Sequence, residues 1–498
     1  MKRLLSVLII IAMLISLSGC AFIKKIFNKD SGTPSDEQQK EEKPLDVNGV
    51  SVAEYNIVCD KDGLDYNLRA AEYIQSCIYE LRGYKINIVD DSEPEAKREI
   101  VVGETTRKIS AELDTDTKGF QFTMLAKDGT VALEADYFVI AAAAYYFVDT
   151  YVRGAGEVDE ESTQVEIPNG LTVSTPITKE AKNYILLIGD GMGVYQSLLF
   201  DYLEDESDYS DGEDAFYGYM FPSLGFARTN SYSGVTDSAA GGTALATGYK
   251  TVNGYVGLDK NQNEIKSLTE LASELGKASA VMSTESRTGA TPSAFSAHEN
   301  NRDNTEAITV DQTQLAEKYG TVIDCNYDYY NQNSINRILE KHISETLAKV
   351  DLDEDGFFLM YEEAHIDKKS HNNEMDKTFL ALIRFNQAIA RFMEYAFYNP
   401  DTVVIITADH ETGNLLPTED GTLAYGSTGH TSANVPVFAW GSGTEMFNGA
   451  IVENIEISQF IAAGMGVEDF GDKTGGWRTD IYGEDNSGGV ELPIIPVD

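Results

Sequence analysis

The chain has 498 residues, with 81 acidic side chains against 38 basic ones and a formal net charge of −43. So large a negative surplus excludes nucleic acid and anionic membrane surfaces as electrostatic partners. A hydrophobic content of 42% over this length is enough for two or three domains with their own cores, and so acidic a chain needs metal ions or a buried arginine if it is to handle anionic substrates.

Lys2 and Arg3 precede an apolar run from Leu4 to Leu17, followed by Ser18-Gly19-Cys20. This is the layout of a secretory signal, and the run is shorter than the ~20 residues that span a bilayer. Leu17-Ser18-Gly19-Cys20 resembles the bacterial lipobox. That resemblance implies a signal peptide over residues 1–19 and a lipid on Cys20. The protein would then be exported and held at the cell membrane by this anchor alone, facing outside the cytoplasm. Residues 20–47 are polar for most of their length and read as a flexible tether. Cys59, Cys77 and Cys325 remain beyond it, too few for a disulfide scaffold.

Residues 48–176 read as a small α/β or α+β accessory domain. Leu64 to Leu81 has helical periodicity, while Lys85 to Val89, Glu99 to Val102, Phe120 to Leu125 and Thr130 to Glu134 are strand candidates. An alanine- and aromatic-rich helix is expected from Asp136 to Val152. This segment contains no histidine and is assigned no chemistry.

The texture changes near residue 181, where buried strands each end in a polar cluster. Tyr184–Ile188 runs into Gly189-Asp190, Ser279–Met282 into Ser283-Thr284-Glu285, and Phe357–Tyr361 into Glu362-Glu363. Thr402–Thr407 runs into Ala408-Asp409-His410-Glu411, and Val435–Trp440 supplies a further strand. Helices lie between them, most clearly Met375 to Phe397. The expected fold is α/β, a largely parallel central sheet flanked by helices over residues 181–480. Ligands of such sheets gather at the carboxyl ends of the strands, where these carboxylates and histidines sit.

Asp190, Glu362, Asp367, His371, Asp409, His410 and His430 are therefore metal-ligand candidates, with Asp367 and His371 one helical turn apart. Zinc accepts such mixed oxygen and nitrogen donors. Between them in sequence lies Thr236-Asp237-Ser238-Ala239-Ala240, a hydroxyl at the expected start of a helix, where small residues and unpaired N–H groups admit an anion. A serine is a poor nucleophile without a base or a metal, and no histidine adjoins Ser238 in sequence. Asp351 to Glu362 fits a calcium-loop expression, but Phe357–Tyr361 is an apolar strand candidate and Leu359 stands at the ninth position, against an EF-hand.

The ordered set Asp190-Gly-Met-Gly, Thr236-Asp237-Ser238, Ala290-Thr291-Pro292, Arg302, Glu362, Asp367-Lys368-x-x-His371, Asp409-His410 and Gly429-His430-Thr431 resembles the alkaline phosphatase family over about residues 181–465. The resemblance implies two zinc ions and one magnesium ion. One zinc would be held by Asp367, His371 and His430, and the other by Asp190, Asp409 and His410. Asp190 would bridge to magnesium, completed by Thr291 and Glu362. Ser238 would be the nucleophile, Arg302 would grip two phosphate oxygens with Asp237 orienting it, and Lys368 would stand on the phosphate side. The implied reaction is hydrolysis of small phosphate monoesters through a phosphoserine, releasing inorganic phosphate. Competing readings are a phosphodiesterase of the same superfamily and a surface binding module on a degenerate phosphatase domain. One departure stands out: Gly289 occupies the position two before Thr291 where relatives often carry Asp or His.

Overall fold

The computed structural model describes residues 40–482, apart from residues 41, 64, 114–118, 155–163, 204–214 and 326–331. The expected signal segment and Cys20 lie outside the described residues. No helix among the described residues is long and apolar enough to cross a membrane. The chain divides into two compact units. The described residues up to Thr178, with Met393–Pro400, form one; Lys179–Phe392, with the described residues from Asp401, form the other.

In the first unit β1 (Asn56–Cys59), β2 (Ile88–Asp90), β3 (Glu99–Val102), β4 (Phe122–Lys127), β5 (Thr130–Glu134) and β6 (Leu171–Val173) form a six-stranded sheet in the order β2-β1-β3-β5-β4-β6. Its β1, β2, β3 and β5 run parallel, and β4 is antiparallel to β5 and β6. Helix α1 (Asp65–Arg82) buries Ala70, Ala71, Ile74, Cys77 and Ile78, the spacing of one helical face. Three expectations need correcting. The strand expected from Lys85 is only Ile88–Asp90. The helix expected from Asp136 to Val152 breaks into a 3-10 turn at Tyr137–Val139, α2 (Ile140–Phe147) and a wider π turn over Val148–Gly154. The polar tether ends early, because Leu45 and Val47 are buried and Asp46–Val47 pairs with Val50–Ser51 and Gln164–Val165. Cys59 and Cys77 are free and buried, and burial pushes their thiols up to about 11 and about 12, which leaves them inert.

The second unit is built on an eight-stranded sheet of β7 (Asn183–Gly189), β8 (Ser223–Arg228), β9 (Ala278–Ser283), β10 (Val322–Cys325), β11 (Phe357–Glu363), β12 (Thr402–Thr407), β13 (Val435–Trp440) and β14 (Ile451–Glu453). The order is β10-β9-β11-β7-β12-β13-β8-β14, parallel from β10 to β12, with β13 antiparallel to both its neighbours. Every residue of β7, β11 and β12 is buried, the signature of a sheet covered on both faces. Ile188 pairs with Glu362 on one side and with Thr407 on the other. That register brings Asp190, Glu362 and Asp409 to the same carboxyl edge.

Three helices serve this edge: α3 (Ser238–Thr247), α4 (Ala290–Ala294) and α5 (His365–Ser370). All ten residues of α3 are buried, and a Cβ on Gly241 would stand 2.7 Å from the Asp409 carbonyl oxygen, so only a small residue lets the helix sit this close. Gly191, with φ +74°, makes the turn after β7; a Cβ there would meet Asp367 Cα and Thr412 Oγ1 at 2.8 Å.

Candidate metal centre

Ser238 is the first residue of α3, and Asp237 is its N-cap in extended conformation, accepting from Ala240 N at 3.0 Å through Oδ1. The second Asp237 oxygen accepts from Gly254 N at 3.0 Å and from an Arg302 guanidinium N–H at 3.2 Å. Both carboxylate oxygens are thus in use, and Arg302 is tied to the turn that carries the serine. Burial lowers the Arg302 pKa, but the Asp237 charge outweighs it and the guanidinium is held above its usual range.

His371, His410 and His430 have their Nδ1 atoms committed. His371 Nδ1 donates to the Thr428 carbonyl at 2.5 Å, and His430 Nδ1 to the Thr236 carbonyl at 2.9 Å. Thr412 donates its hydroxyl proton to Asp367 Oδ1 at 2.5 Å, so at 3.2 Å from His410 Nδ1 it can only accept from that ring nitrogen. In the neutral rings this leaves a lone pair on each Nε2 atom. His371 and His430 present theirs 3.0 Å apart, and 3.3 and 3.4 Å from Asp367 Oδ1. His410 Nε2 lies 3.2 Å from Ser238 Oγ, 3.3 Å from Asp409 Oδ2 and 3.5 Å from Asp190 Oδ1. Converging lone pairs and carboxylates repel unless a cation, or protons, come between them.

The donor atoms of Asp367, His371 and His430 all lie within 4.8 Å of one another, as do those of Asp190, Asp409 and His410. Each trio could hold a metal ion. Buried orphan atoms mark the same place: Asp190 Oδ1, Asp409 Oδ2, Glu362 Oε1 and Thr291 Oγ1 make no hydrogen bond. The other Glu362 oxygen accepts from Ser283 Oγ. Burial, then the charges of Asp409, Asp367 and Glu362, pushes the Asp190 carboxyl well up; burial and the Glu285 charge do the same to Glu362. Asp367 goes the other way. Burial opposes it, but the bond to His430 and the charge of His410 hold its carboxyl below the usual range. Burial lowers His410 against the pull of Asp409.

A further trio in the first unit, Asp60, Asp90 and Asp91, also meets within 4.8 Å. Several of its oxygens serve loop bonds, Asp90 taking Lys61 N and Ser92 N at 3.1 Å each, Asp91 taking Thr106 N at 2.6 Å and Asp60 taking Asp62 N at 2.9 Å. His298, His342 and His365 pair locally with Glu270, Asp324 and Glu363 and stand outside both histidine groups.

A family model described as alkaline phosphatase matches residues 181–339 and 321–420. Over residues 181–420 the chain is similar to the alkaline phosphatase family. It is 30% identical over 293 residues to alkaline phosphatase 3 of Bacillus subtilis and 29% identical over 289 residues to alkaline phosphatase 4 of the same organism. These alignments cover 49% and 47% of this chain and 63% and 62% of the relatives, so the chain spans about three fifths of the curated relatives it matches. The structure of alkaline phosphatase from the Antarctic bacterium TAB5 is 25% identical and superposes with a TM-score of 0.51, over 58% of this chain and 99% of that one. The family match begins at residue 181, after the N-terminal stretch of the first unit.

Within the second unit the edge brings Asp190, Ser238, Thr291, Glu362, Asp367, His371, Asp409, His410 and His430 together, with Asp237 and Arg302 bonded beside them. Lys368 stands apart from Asp237 and Arg302 in its bonding: its ammonium pairs with Glu285. The sequence reading passed over Thr412, which joins Asp367 to His410. It gave no role to Glu411, the last residue of the strand-end cluster Ala408-Asp409-His410-Glu411, which is buried and accepts from Gln196 and Thr431. Glu285 was missed too, although it follows the end of β9 much as Asp190 follows β7; the rule that selected Asp190 would have found it.

Proposed function

We propose that this chain hydrolyses phosphate monoesters through a phosphoserine on Ser238. One observation carries the reading: the Nε2 lone pairs of His371, His410 and His430 converge with Asp190, Asp367 and Asp409, one of them 3.2 Å from Ser238 Oγ. Imidazole and carboxylate donors with outer nitrogens already bonded suit zinc in the two histidine groups. The all-oxygen set of Asp190, Thr291 and Glu362 suits magnesium. A TAB5 alkaline phosphatase variant with magnesium bound in its M3 site favours the same ion here. Bound there, the ions would lower the pKa of the serine hydroxyl and of water and offset charge on phosphoryl oxygens.

The residues themselves divide the remaining work. Ser238 Oγ bonds to phosphorus as the ester P–O bond breaks, and the serine proton ends on the leaving alcohol. Water then cleaves the Oγ–P bond, returns a proton to Ser238 and releases inorganic phosphate. Arg302, steadied by Asp237, takes two phosphoryl oxygens through its planar fork. The N-terminus of α3 adds a favourable dipole end. Lys368 contributes positive charge on the phosphate side. Residues 181–480 hold the whole apparatus, residues 48–176 are an accessory domain, and a lipid on Cys20 fastens the exported protein to the membrane.

Rates on p-nitrophenyl phosphate and its bis-ester, with zinc and magnesium supplied, test the proposal. Faster monoester hydrolysis is expected, because a monoester has three non-bridging oxygens and can give two to Arg302 while the third faces the metal ions, whereas a diester has only two; faster diester hydrolysis would favour the phosphodiesterase. Fewer than two transition metals per chain, with no turnover of either ester, would favour the binding module.

A further inference from the structure

Gly289 leaves the third cation group without the side chain that relatives often place there, yet the space is filled. A Cβ built on Gly289 would fall inside the Glu285 carboxylate, reached from four residues upstream across the loop between β9 and α4. Glu285 is fixed in this place. Its backbone N donates to Ser283 Oγ at 3.0 Å, and Ser283 Oγ donates to Glu362 Oε2. Its carboxylate pairs with Lys368, the neighbour of Asp367, and its side chain is only 15% exposed. Its charge acts on Asp190 and Glu362; Thr291 and Glu362 are fully buried, with Oγ1 and Oε1 atoms that make no hydrogen bond, and the buried Asp190 Oδ1 makes none either.

We propose that Glu285 is the missing acidic residue of the third cation site, supplied from position 285 in place of position 289. It adds an outer carboxylate to the all-oxygen donors Asp190, Thr291 and Glu362, a hard set that selects magnesium over softer ions. Through Lys368 it also tethers a cation that would otherwise swing into solvent. Glu285 is a positioning residue, acting on the reaction through the ion and through Lys368. The inference rests on the functional reading above, since it presumes a third divalent ion at Asp190, Thr291 and Glu362.

A plain surface ion pair between Glu285 and Lys368 is the competing account, and magnesium affinity separates the two. Titration calorimetry with magnesium on the zinc-loaded protein is the readout. Glu285→Gln is expected to weaken magnesium binding by about 10–100-fold, the usual cost of losing an outer carboxylate, with zinc content unchanged. Lys368→Met removes the same ion pair but a positive charge, so it is expected to keep or tighten magnesium binding. Glu285→Ala is expected to bind weakly and Glu285→Ala/Gly289→Asp to regain most of the affinity, because the aspartate enters the vacated space. Magnesium affinity of Glu285→Gln within about twofold of wild type, or equal affinities of Glu285→Ala with and without Gly289→Asp, would overturn the inference alone. A wild-type protein that binds zinc and hydrolyses monoesters but takes no magnesium would overturn it together with the third site of the functional reading.

Discussion

Replacing Arg302 with alanine separates binding from chemistry. The guanidinium makes one bond to Asp237 Oδ2 at 3.2 Å, is 34% exposed, and is held on a loop whose own N–H donates to Gly254 O at 2.9 Å. A charge-assisted contact to phosphate is worth about 1.5–3 kcal/mol. The exposed third of the side chain places this one toward the lower end, about 1.5–2 kcal/mol, or about tenfold to thirtyfold. The loss should fall on the inhibition constant of inorganic phosphate and on kcat/KM, with a smaller fall in kcat, if the metal ions carry most of the transition-state charge. Stability should move by no more than about 0.5 kcal/mol, because Asp237 keeps its bonds to Ala240 N and Gly254 N. Arg302→Lys should recover little, since an ammonium cannot reproduce the planar fork. The assay is competitive inhibition by phosphate of p-nitrophenyl phosphate hydrolysis, paired with thermal melts. Equal inhibition constants in wild type and Arg302→Ala would refute the reasoning and leave Arg302 a surface residue bonded to a helix cap.

Two further outcomes follow from groups around the centre and away from it. Thr412→Val keeps the shape but deletes the hydroxyl that serves Asp367 and His410, and zinc affinity against a chelator should fall by about 10–100-fold; unchanged zinc retention would show that the hydroxyl positions nothing. Lys250 is buried against Glu453 at 3.2 Å, and burial pulls its ammonium down from 10.5 to about 8. Between about pH 8 and about pH 10.5 the unfolded chain holds a proton the folded chain has lost, so this group makes stability rise with pH across that window. The unfolding free energy of wild type minus that of Lys250→Met should therefore climb by about 3 kcal/mol from about pH 7.5 to about pH 10.5. A flat difference in denaturant melts would show that Lys250 titrates normally.

Much of the second unit was legible because buried parallel strands announce themselves as continuous apolar runs, and their carboxyl ends must share an edge. The proximity of Asp190, Glu362 and Asp409 follows from that alone, once Ile188 pairs with both Glu362 and Thr407. The place of His430 was not readable from periodicity. It comes back to His410 through a two-residue pairing of Glu411–Thr412 with His430–Thr431, too short to leave a strand pattern, and the two rings stack with centroids 3.6 Å apart. Glu285 was readable as a strand-end carboxylate, but its filling of the space at Gly289 was not: sequence spacing assigns a side chain to its own position, whereas a flexible glutamate can fill a neighbour's space. In the first unit, local propensity overstated regular structure. Lys85 to Asn87 lack strand pairing, and the alanine-rich helix gives way at Val148 to a wider turn.

The central claim is that Ser238 carries the phosphoryl group. Wild-type protein incubated with labelled phosphate at acidic pH, quenched in acid and digested, should yield one labelled peptide, with the label on Ser238. In Ser238→Ala the label should vanish and turnover should fall by orders of magnitude, with a residue of activity from water alone. Label on any other side chain, or full turnover by Ser238→Ala, would contradict the account.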